Sequence, residues 1–310
     1  MKEKKESSRI VKPTYNGKTH ASNPGFIPLS VFDKVTEWAG RLDRDDIGNS
    51  IILLNDEGVK FVEASVDGTL DEAVSFKPSA SLLALHPCLK GVVELVQVQL
   101  TRVSLAKLKQ KASSENSGPY RKPYSTFESL VAHLWRAITK SRAVDNSETT
   151  YVRISVNGRT RLNPRVPKDY FGNLVLWAFP SAKVKELLRE PLPYAAKLIH
   201  DAVAKVNNNY FKSFIDFANY KVEEEDLVPT ADMNKNSLCP NLEVDSWLRF
   251  PFYDLDFGGG CLYVFMPSYF PTEGMMFLLP SFIGDGSIDA FVPVFQDNLA
   301  TFKQVCYSLD

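Results

Sequence analysis

The sequence predicts an α/β protein of mixed α+β character, with strands and helices interleaved in both halves of the chain. Three observations carry that expectation: short runs alternating apolar and polar residues, a strongly signalled amphipathic helix near the middle, and a glycine-bounded hairpin near the end. A helical bundle would lack the first and third, and a β-sandwich the second. No internal repeat of fixed period is visible.

Taken in order, Arg9 to Val11, Ile51 to Leu54, Gly58 to Val66 and Leu95 to Val103 read as strands, with Asn55-Asp56-Glu57-Gly58 as the turn of a hairpin. Leu105 to Ala112 reads as a short helix. Ser113 to Pro119, rich in Ser, Asn, Gly and Pro, reads as a linker and sets the expected domain boundary, 1–118 against 119–310. Beyond it, Ser125-Thr126-Phe127-Glu128 has capping-box spacing, and Phe127, Leu130, Val131, Leu134 and Ile138 form one apolar stripe at helical spacing. Tyr151 to Val156 alternates as a strand and stops at Asn157-Gly158; Leu174 to Phe179 suits a buried strand. Tyr194 to Tyr220 reads as one long helix. Met275 to Ile283 and Ile288 to Phe295 form a hairpin through Gly284-Asp285-Gly286, and Gln296 to Tyr307 a closing helix.

With 310 residues, 44% of them hydrophobic, the chain can build a core for two domains. Its 36 basic and 37 acidic residues leave no overall field for nucleic acid or an anionic membrane, so any basic site must be local. Cys88, Cys239, Cys261 and Cys306 are widely spaced, which suggests reduced, buried thiols rather than a metal site or a disulfide framework. The N-terminus offers no apolar segment of signal-peptide type, and no apolar run approaches the roughly 20 residues of a membrane span. The expectation is a soluble, cytosolic, monomeric protein with no bound metal and no permanently bound cofactor.

Glycines are densest at Asp256-Phe257-Gly258-Gly259-Gly260. The run lacks the spacing of a phosphate loop and no strong helix follows it, so a tight structural turn is the better reading. Asp256, among apolar neighbours, calls for a cationic partner; Arg159 and Arg161 would share a face if the strand ending near Asn157 continued, and a pairing with one of them is expected. Of the histidines, His20 and His86 read as surface loop residues and His133 sits inside the capped helix. His200 and Asp201, adjacent on a helix, point too far apart to form a dyad. No Gly-x-Ser-x-Gly elbow is present.

Asp256 to Gly260 resembles the late Asp-Phe-Gly-x-Gly pattern of the plant BAHD acyltransferases. Arg159-Thr160-Arg161-Leu162-Asn163-Pro164 with Tyr170-Phe171-Gly172-Asn173, the helix from Ser125 to Arg142, Val244-Asp245-Ser246-Trp247-Leu248-Arg249, Leu279-Pro280-Ser281-Phe282 and the ending Cys306-Tyr307-Ser308-Leu309-Asp310 are also similar to that family, notably to its members that join hydroxycinnamoyl groups to amines such as agmatine and tryptamine. The resemblance implies a two-domain chloramphenicol acetyltransferase-like fold with mixed sheets and a channel between the domains. It also implies a reaction, in which the histidine of a His-x-x-x-Asp motif deprotonates an amine that attacks the thioester of an acyl-coenzyme A co-substrate.

The sequence departs from the family at that motif. Four places after His20, His86, His133 and His200 stand Pro24, Lys90, Ala137 and Ala204, so no His-x-x-x-Asp exists and no catalytic residue is assigned. The join lies near Ser104, between a strand and a helix that the family separates; a second lies near Val35-Thr36, leaving the N-terminal domain incomplete. The resemblance places Asp245 near the reacting centre, where it could attract a cationic amine; with Ser246 it is a substrate-binding candidate, as are Trp247 and Tyr253, which could pack against an aromatic acyl group or simply belong to the core. Arg159, Arg161 and Arg165 are candidates for the coenzyme A phosphates, while Lys183 and Lys185 read better as a solvated charged face. The expectation is a hydroxycinnamoyl-coenzyme A:amine acyltransferase that is inactive as written because the His-x-x-x-Asp segment is missing; the alternative is a non-catalytic ligand-binding or regulatory remnant.

Overall fold

The computed structural model describes the backbone of residues 3–11, 25–28, 41–44, 50–54 and 59–66, together with residues 94–114, 122–167, 170, 172–219, 237–256, 260–262, 264–267 and 272–308. In chain order the elements are β1 (Glu3–Val11), β2 (Gly25–Pro28), β3 (Arg41–Arg44), β4 (Ser50–Leu54), β5 (Val59–Val66), β6 (Glu94–Leu100), α1 (Arg102–Ala112), α2 (Thr126–Ser141), β7 (Thr149–Asn157), β8 (Val175–Ala178), β9 (Ser181–Lys183), α3 (Val184–Arg189), α4 (Leu192–Lys205), α5 (Asn208–Asn219), β10 (Leu242–Ser246), β11 (Met275–Pro280), β12 (Ile288–Val294) and α6 (Gln296–Val305). The mixed α/β composition is as expected. Two compact units result, one of Met1–Val74, Asn157–Leu176 and Asn207–Val228, the other of Ser75–Val156, Trp177–Val206 and Pro229–Asp310.

In the first unit, β1 and β5 pair antiparallel, and β4 lies between β2 and β3. The hairpin expected between Ile51–Leu54 and Gly58–Val66 is therefore not formed. Both edges of β4 are taken by β2 and β3, and β5 pairs with β1; long-range pairing overrides the local turn signal. The strand ending at Asn157 does not run on to Arg161 either. Asn157 Oδ1 accepts the Arg159 N–H at 2.9 Å, and the Arg161 N–H donates to the Gly158 carbonyl, so the chain turns. A side chain on Gly158 would collide with the fully buried ring of Phe211, which fixes glycine there.

The single long helix expected over 194–220 is two, α4 and α5. Asn207 interrupts it: its Oδ1 accepts the N–H groups of Asn209 at 2.9 Å and Tyr210 at 3.2 Å, opening a new helix, and Val206 leaves helical geometry at ψ 69°.

The second unit is built on a sheet of order β6-β12-β11-β10-β7-β8, with β9 also on β7. β10 runs parallel to both β7 and β11, whereas β12 is antiparallel to β11 and β6. Every residue of β12 is buried, as a central strand covered on both faces should be. Val96, Val98, Ala290, Val292, Met276, Leu278, Val244, Ile154 and Val152 make one face largely apolar, with Thr150 and Ser246 as polar members. Against it lies α2, whose Trp135 indole donates to Thr150 Oγ1 at 3.2 Å, while Thr150 donates to the Pro240 carbonyl at 2.6 Å. β6 is shorter than the expected strand because Thr101 caps α1, its Oγ1 accepting from the Ser104 amide.

Helix α2 is the hub of the helical layer and touches α1, α3, α4 and α6. Its capping box forms as the sequence predicts: Ser125 Oγ accepts from the Glu128 amide at 3.2 Å and Glu128 Oε2 from the Ser125 amide at 2.6 Å. At its other end, Arg142 is gripped by Glu273, with Nε to Oε1 at 2.7 Å and Nη2 to Oε2 at 2.8 Å, both side chains almost fully buried. Arg142 Nη1 also donates to the Asn241 carbonyl at 3.0 Å, and Ser237 Oγ donates to Glu273 Oε2 at 2.7 Å. Gly274, at φ 91°, has no room for a Cβ beside the guanidinium. The pair ties α2 to the segments that enter β10 and β11.

Removing one member strands a buried charge, so Arg142→Ala is expected to lower stability by roughly 3–5 kcal/mol. Denaturant unfolding followed by far-UV circular dichroism measures it.

Candidate functional site

The second face of the sheet carries polar and charged groups. Period-two alternation and the strand register place Arg153 and Ser155 of β7, Glu243 and Asp245 of β10, Phe277 and Leu279 of β11, Asp289 and Phe291 of β12, and Gln97 and Gln99 of β6 together on it. Glu243 is the register partner of Arg153, and Arg153 Nε donates to its Oε2 at 2.9 Å. The Arg153 guanidinium also lies 4.4 Å from the centre of the Trp177 ring, which fixes it by cation–π attraction.

Burial raises the Glu243 carboxyl above its ordinary range even though Arg153 pulls the other way. Burial likewise raises Asp245, and a hydrogen bond from Ser155 and the charge of Arg153 offset this only in part. With Arg153 committed to Glu243, Asp245 is the half-buried carboxylate of this cluster best placed to receive an incoming cation.

Beside it stands an aromatic cluster. Trp247 follows Asp245 by two residues, and its ring lies 5.0 Å from Phe277, 6.1 Å from Phe252 and Phe265 and 6.5 Å from Phe250. Phe252 and Phe265 stack face to face at 3.8 Å. Leu95, Phe277, Leu279 and Phe291 form the buried floor, with Trp247, Phe265, Met266 and Met275 packed on it half-buried. A planar aromatic group can lie against such a surface. Ser246, the next residue along β10, is exposed and alternates to the other face.

The remaining sequence candidates fall as follows. Asp256 is exposed, its Oδ1 accepts the Gly260 N–H at 2.9 Å, and Gly260 has φ 104°; Phe257, Gly258 and Gly259 lie outside the described residues. Arg159 holds the chain ahead of β8, donating to the Gly172 carbonyl at 2.6 Å beside the Tyr170 ring, with centroid 5.8 Å away. Arg161 is partly buried, which lowers its pKa, and Arg165 is exposed. Lys183 and Lys185 are exposed, the former donating to the Ser147 carbonyl. Burial raises the Tyr253 phenol, followed by the charge of Asp289, against a hydrogen bond from the Phe265 backbone.

His20 and His86 lie outside the described residues. His133 is buried, and its Nε2 donates to the Cys306 carbonyl at 2.7 Å, which joins α2 to the end of α6. His200 is exposed, with Nδ1 2.7 Å from Glu128 Oε1. Its partner is thus a carboxylate 72 positions away in sequence, not Asp201, which pairs with Lys197. The cysteines depart from expectation: Cys239 and Cys261 are exposed thiols, and Cys88 lies outside the described residues. Only Cys306 of the described three is buried, and burial pushes its thiol up to about 11. Among the described residues no group of three metal-binding side chains assembles, and no helix is long and apolar enough to cross a membrane.

Sequence reasoning missed Arg153, Ser155, Glu243 and Asp289. Alternation within Leu242–Ser246 alone would have put Glu243 with Asp245; the parallel register that brings Arg153 beside them is not a local property of either strand.

The fold is shared with solved structures. That of vinorine synthase matches with a TM-score of 0.66 at 17% identity, over 97% of this chain and 96% of the other. A Fusarium sporotrichioides TRI101 complexed with coenzyme A and T-2 matches with a TM-score of 0.58 at 20% identity, over 73% of this chain and 52% of the other. The architecture is the chloramphenicol acetyltransferase-like one expected. A family model described as the Transferase family matches residues 30–104 and 90–309, and the chain belongs to this family, the BAHD acyltransferases.

Putrescine hydroxycinnamoyltransferase of Oryza sativa subsp. japonica is 37% identical over 458 aligned residues, spanning 100% of both chains. Agmatine coumaroyltransferase-1 of Hordeum vulgare is 36% identical over 441, again spanning 100% of both. Alignments of that length exceed the 310 residues of this chain, so both relatives carry internal stretches without counterpart here.

Two outcomes follow from the titrating groups. Burial raises Asp245 in the folded state, so folding takes up a proton above the unfolded value of 3.8 and stability falls as pH rises through that window. Asp245→Asn should therefore raise stability at neutral pH and remove that part of the pH dependence, read by thermal unfolding at several pH values. His133 has the opposite sense. Burial holds its pKa below 6.5, outweighing the Cys306 carbonyl, so the unfolded chain binds the proton first and stability is lost as pH falls from 6.5 toward the folded value. His133→Gln should flatten that part of the pH profile.

Proposed function

We propose that the chain is, by descent, a cytosolic, monomeric hydroxycinnamoyl-coenzyme A:amine N-acyltransferase that keeps its substrate-binding face but has lost the general base. The observation that carries this reading is the juxtaposition of the half-buried Asp245 carboxylate with the Trp247 aromatic cluster on one sheet face. A cationic amine and a flat aromatic acyl group are the two ligands these surfaces suit. The names of the rice and barley relatives, which carry putrescine, agmatine, hydroxycinnamoyl and coumaroyl, support the same pair, and the complex of TRI101 with coenzyme A supports acyl-coenzyme A as donor.

In this reading residues 1–118 are the remainder of one acyltransferase domain and 119–310 the other. Asp256 to Gly260, Arg159 and Arg161 serve structurally, and Arg159, Arg161 and Arg165 offer the local positive charge for phosphates. An amine is protonated at neutral pH and must lose that proton before attacking a thioester. His-x-x-x-Asp is absent, His133 is committed to Cys306 and His200 to Glu128. Transfer should then run about 10²- to 10⁴-fold below that of a relative with the motif.

Purified protein supplied with p-coumaroyl-coenzyme A and agmatine, with the amide product quantified by mass spectrometry, tests this. The expected result is binding of both substrates with turnover reduced by that factor. A rate matching the barley relative would overturn the loss of the base, and absence of donor binding at millimolar coenzyme A thioester would overturn the retained site.

A further inference from the structure

Strand β6 ends the second unit's sheet. β12 pairs with it along Glu94–Leu100, and among the described residues no strand pairs with its other side. The hydrogen bonding shows which groups face outward. The Gln99 N–H donates to the Tyr307 phenol, so it points away from β12. Along an antiparallel strand this direction repeats every second residue, which turns the N–H and C=O of Leu95 and Gln97 the same way. Leu95 lies opposite Pro293, which has no N–H to offer it and whose carbonyl accepts from the Gly274 amide at 3.3 Å, at the start of β11. Leu95 and Gln97 therefore present backbone donors and acceptors at the sheet edge.

Folded proteins usually guard such an edge with a lysine, a proline or a bulge. Glu94–Leu100 reads Glu-Leu-Val-Gln-Val-Gln-Leu, its one charge stands at the start, and its register against β12 is unbroken. Apolar surface lies exposed beside it: Ile283 and Tyr307, 55% and 58% exposed, border a cavity of about 310 Å³ together with Gln97, Gln99 and Phe282. The chain is also interrupted at this strand. The two matches to the family model, 30–104 and 90–309, overlap on β6, and the aligned relatives carry internal stretches that this chain lacks.

The strand complements itself. Turned about a twofold axis at Val96, a second β6 sets its own Val96 against the first, Gln97 against Leu95, and Val98 against Glu94, so no like charges meet. Leu95 of each copy then exchanges both backbone hydrogen bonds with Gln97 of the other, and the contact between Tyr307 and Gln99 is left intact.

We propose that the outer edge of β6 is a docking surface for a second copy of this chain, the two β6 strands pairing antiparallel about Val96. A single strand pair is a small contact, so association depends on concentration, and the monomer of the acyltransferase reading is its dilute limit. The proposal concerns assembly and does not rest on that reading.

Sedimentation velocity from micromolar to millimolar protein provides the test. The mass should rise from the 34.8 kDa of one chain toward twice that value and no further. Gln97→Pro deletes an outward N–H and leaves the ladder to β12 in place, so association should weaken by about tenfold or more, with the fold checked by far-UV circular dichroism. Val96→Cys keeps the test decisive if the proline variant misfolds. Mild oxidation should join residue 96 to its twin, identified by mass spectrometry, several-fold faster than it joins the same position in Gln97→Cys, whose thiol would face Leu95. A mass that stays at one chain up to millimolar protein, growth beyond two chains, or undiminished association in a folded Gln97→Pro would each overturn the proposal. So would absence of the cross-link in Val96→Cys, or equally fast oxidation of Gln97→Cys.

Discussion

The Arg142–Glu273 pair is buried where α2 ends and where the chain enters β10 and β11. Its Coulombic attraction alone would not repay removing two charges from water; the Ser237 hydroxyl and the Asn241 carbonyl complete the hydrogen bonding that makes such burial tolerable. The consequence is geometric. One helix end and two parallel strands are fixed in common, so the register of β10 against β7 and β11 is set from outside the sheet. That register is what aligns Glu243 with Arg153 and Asp245 with Phe277, and so the charge on the candidate face depends on a contact made at its far side.

The contrast between the two faces of the sheet explains what the unit does with its charge. The face toward α2 is largely apolar and carries no charged group among Val96, Val98, Ala290, Val292, Met276, Leu278, Val244, Ile154, Val152, Thr150 and Ser246. The opposite one holds Glu243, Asp245 and Asp289, each raised by burial, and only the first of them has an arginine bound to it. Stability alone would favour apolar residues at such positions, and carboxyls held in poorly solvated places are typical of sites that handle charged ligands.

Elements governed by local chemistry were legible in the sequence. The capping box of Ser125 and Glu128, the hairpin strands β11 and β12 and the closing helix α6 depend on residues within a few positions of each other and occur where they should. The failures share a cause. The turn at Asn55–Gly58 was a sound local signal, yet β4 found its partners in β2 and β3. The apolar pattern of 194–220 reads as one helix until the side chain of Asn207 is counted as a cap. Arg159 and Arg161 were placed on a strand that a glycine and a buried phenylalanine had already ended. For the site, Asp245 and Trp247 were visible through resemblance, whereas Arg153, Glu243 and Asp289 join it only through pairing across distant segments.

β12 also has a temporal meaning. It fills the slot between β6 and β11, so β6 has its ladder partner only once a strand far later in the chain has been made, as the pairing of Gln97 with Phe291 shows. Contacts of such sequence separation are slow to close, and in the interval the glutamine-bearing strand waits with one row of amides and carbonyls unmatched on the side β12 will occupy. The ladder of this unit's sheet therefore closes only when its last hairpin, β11–β12, is in place.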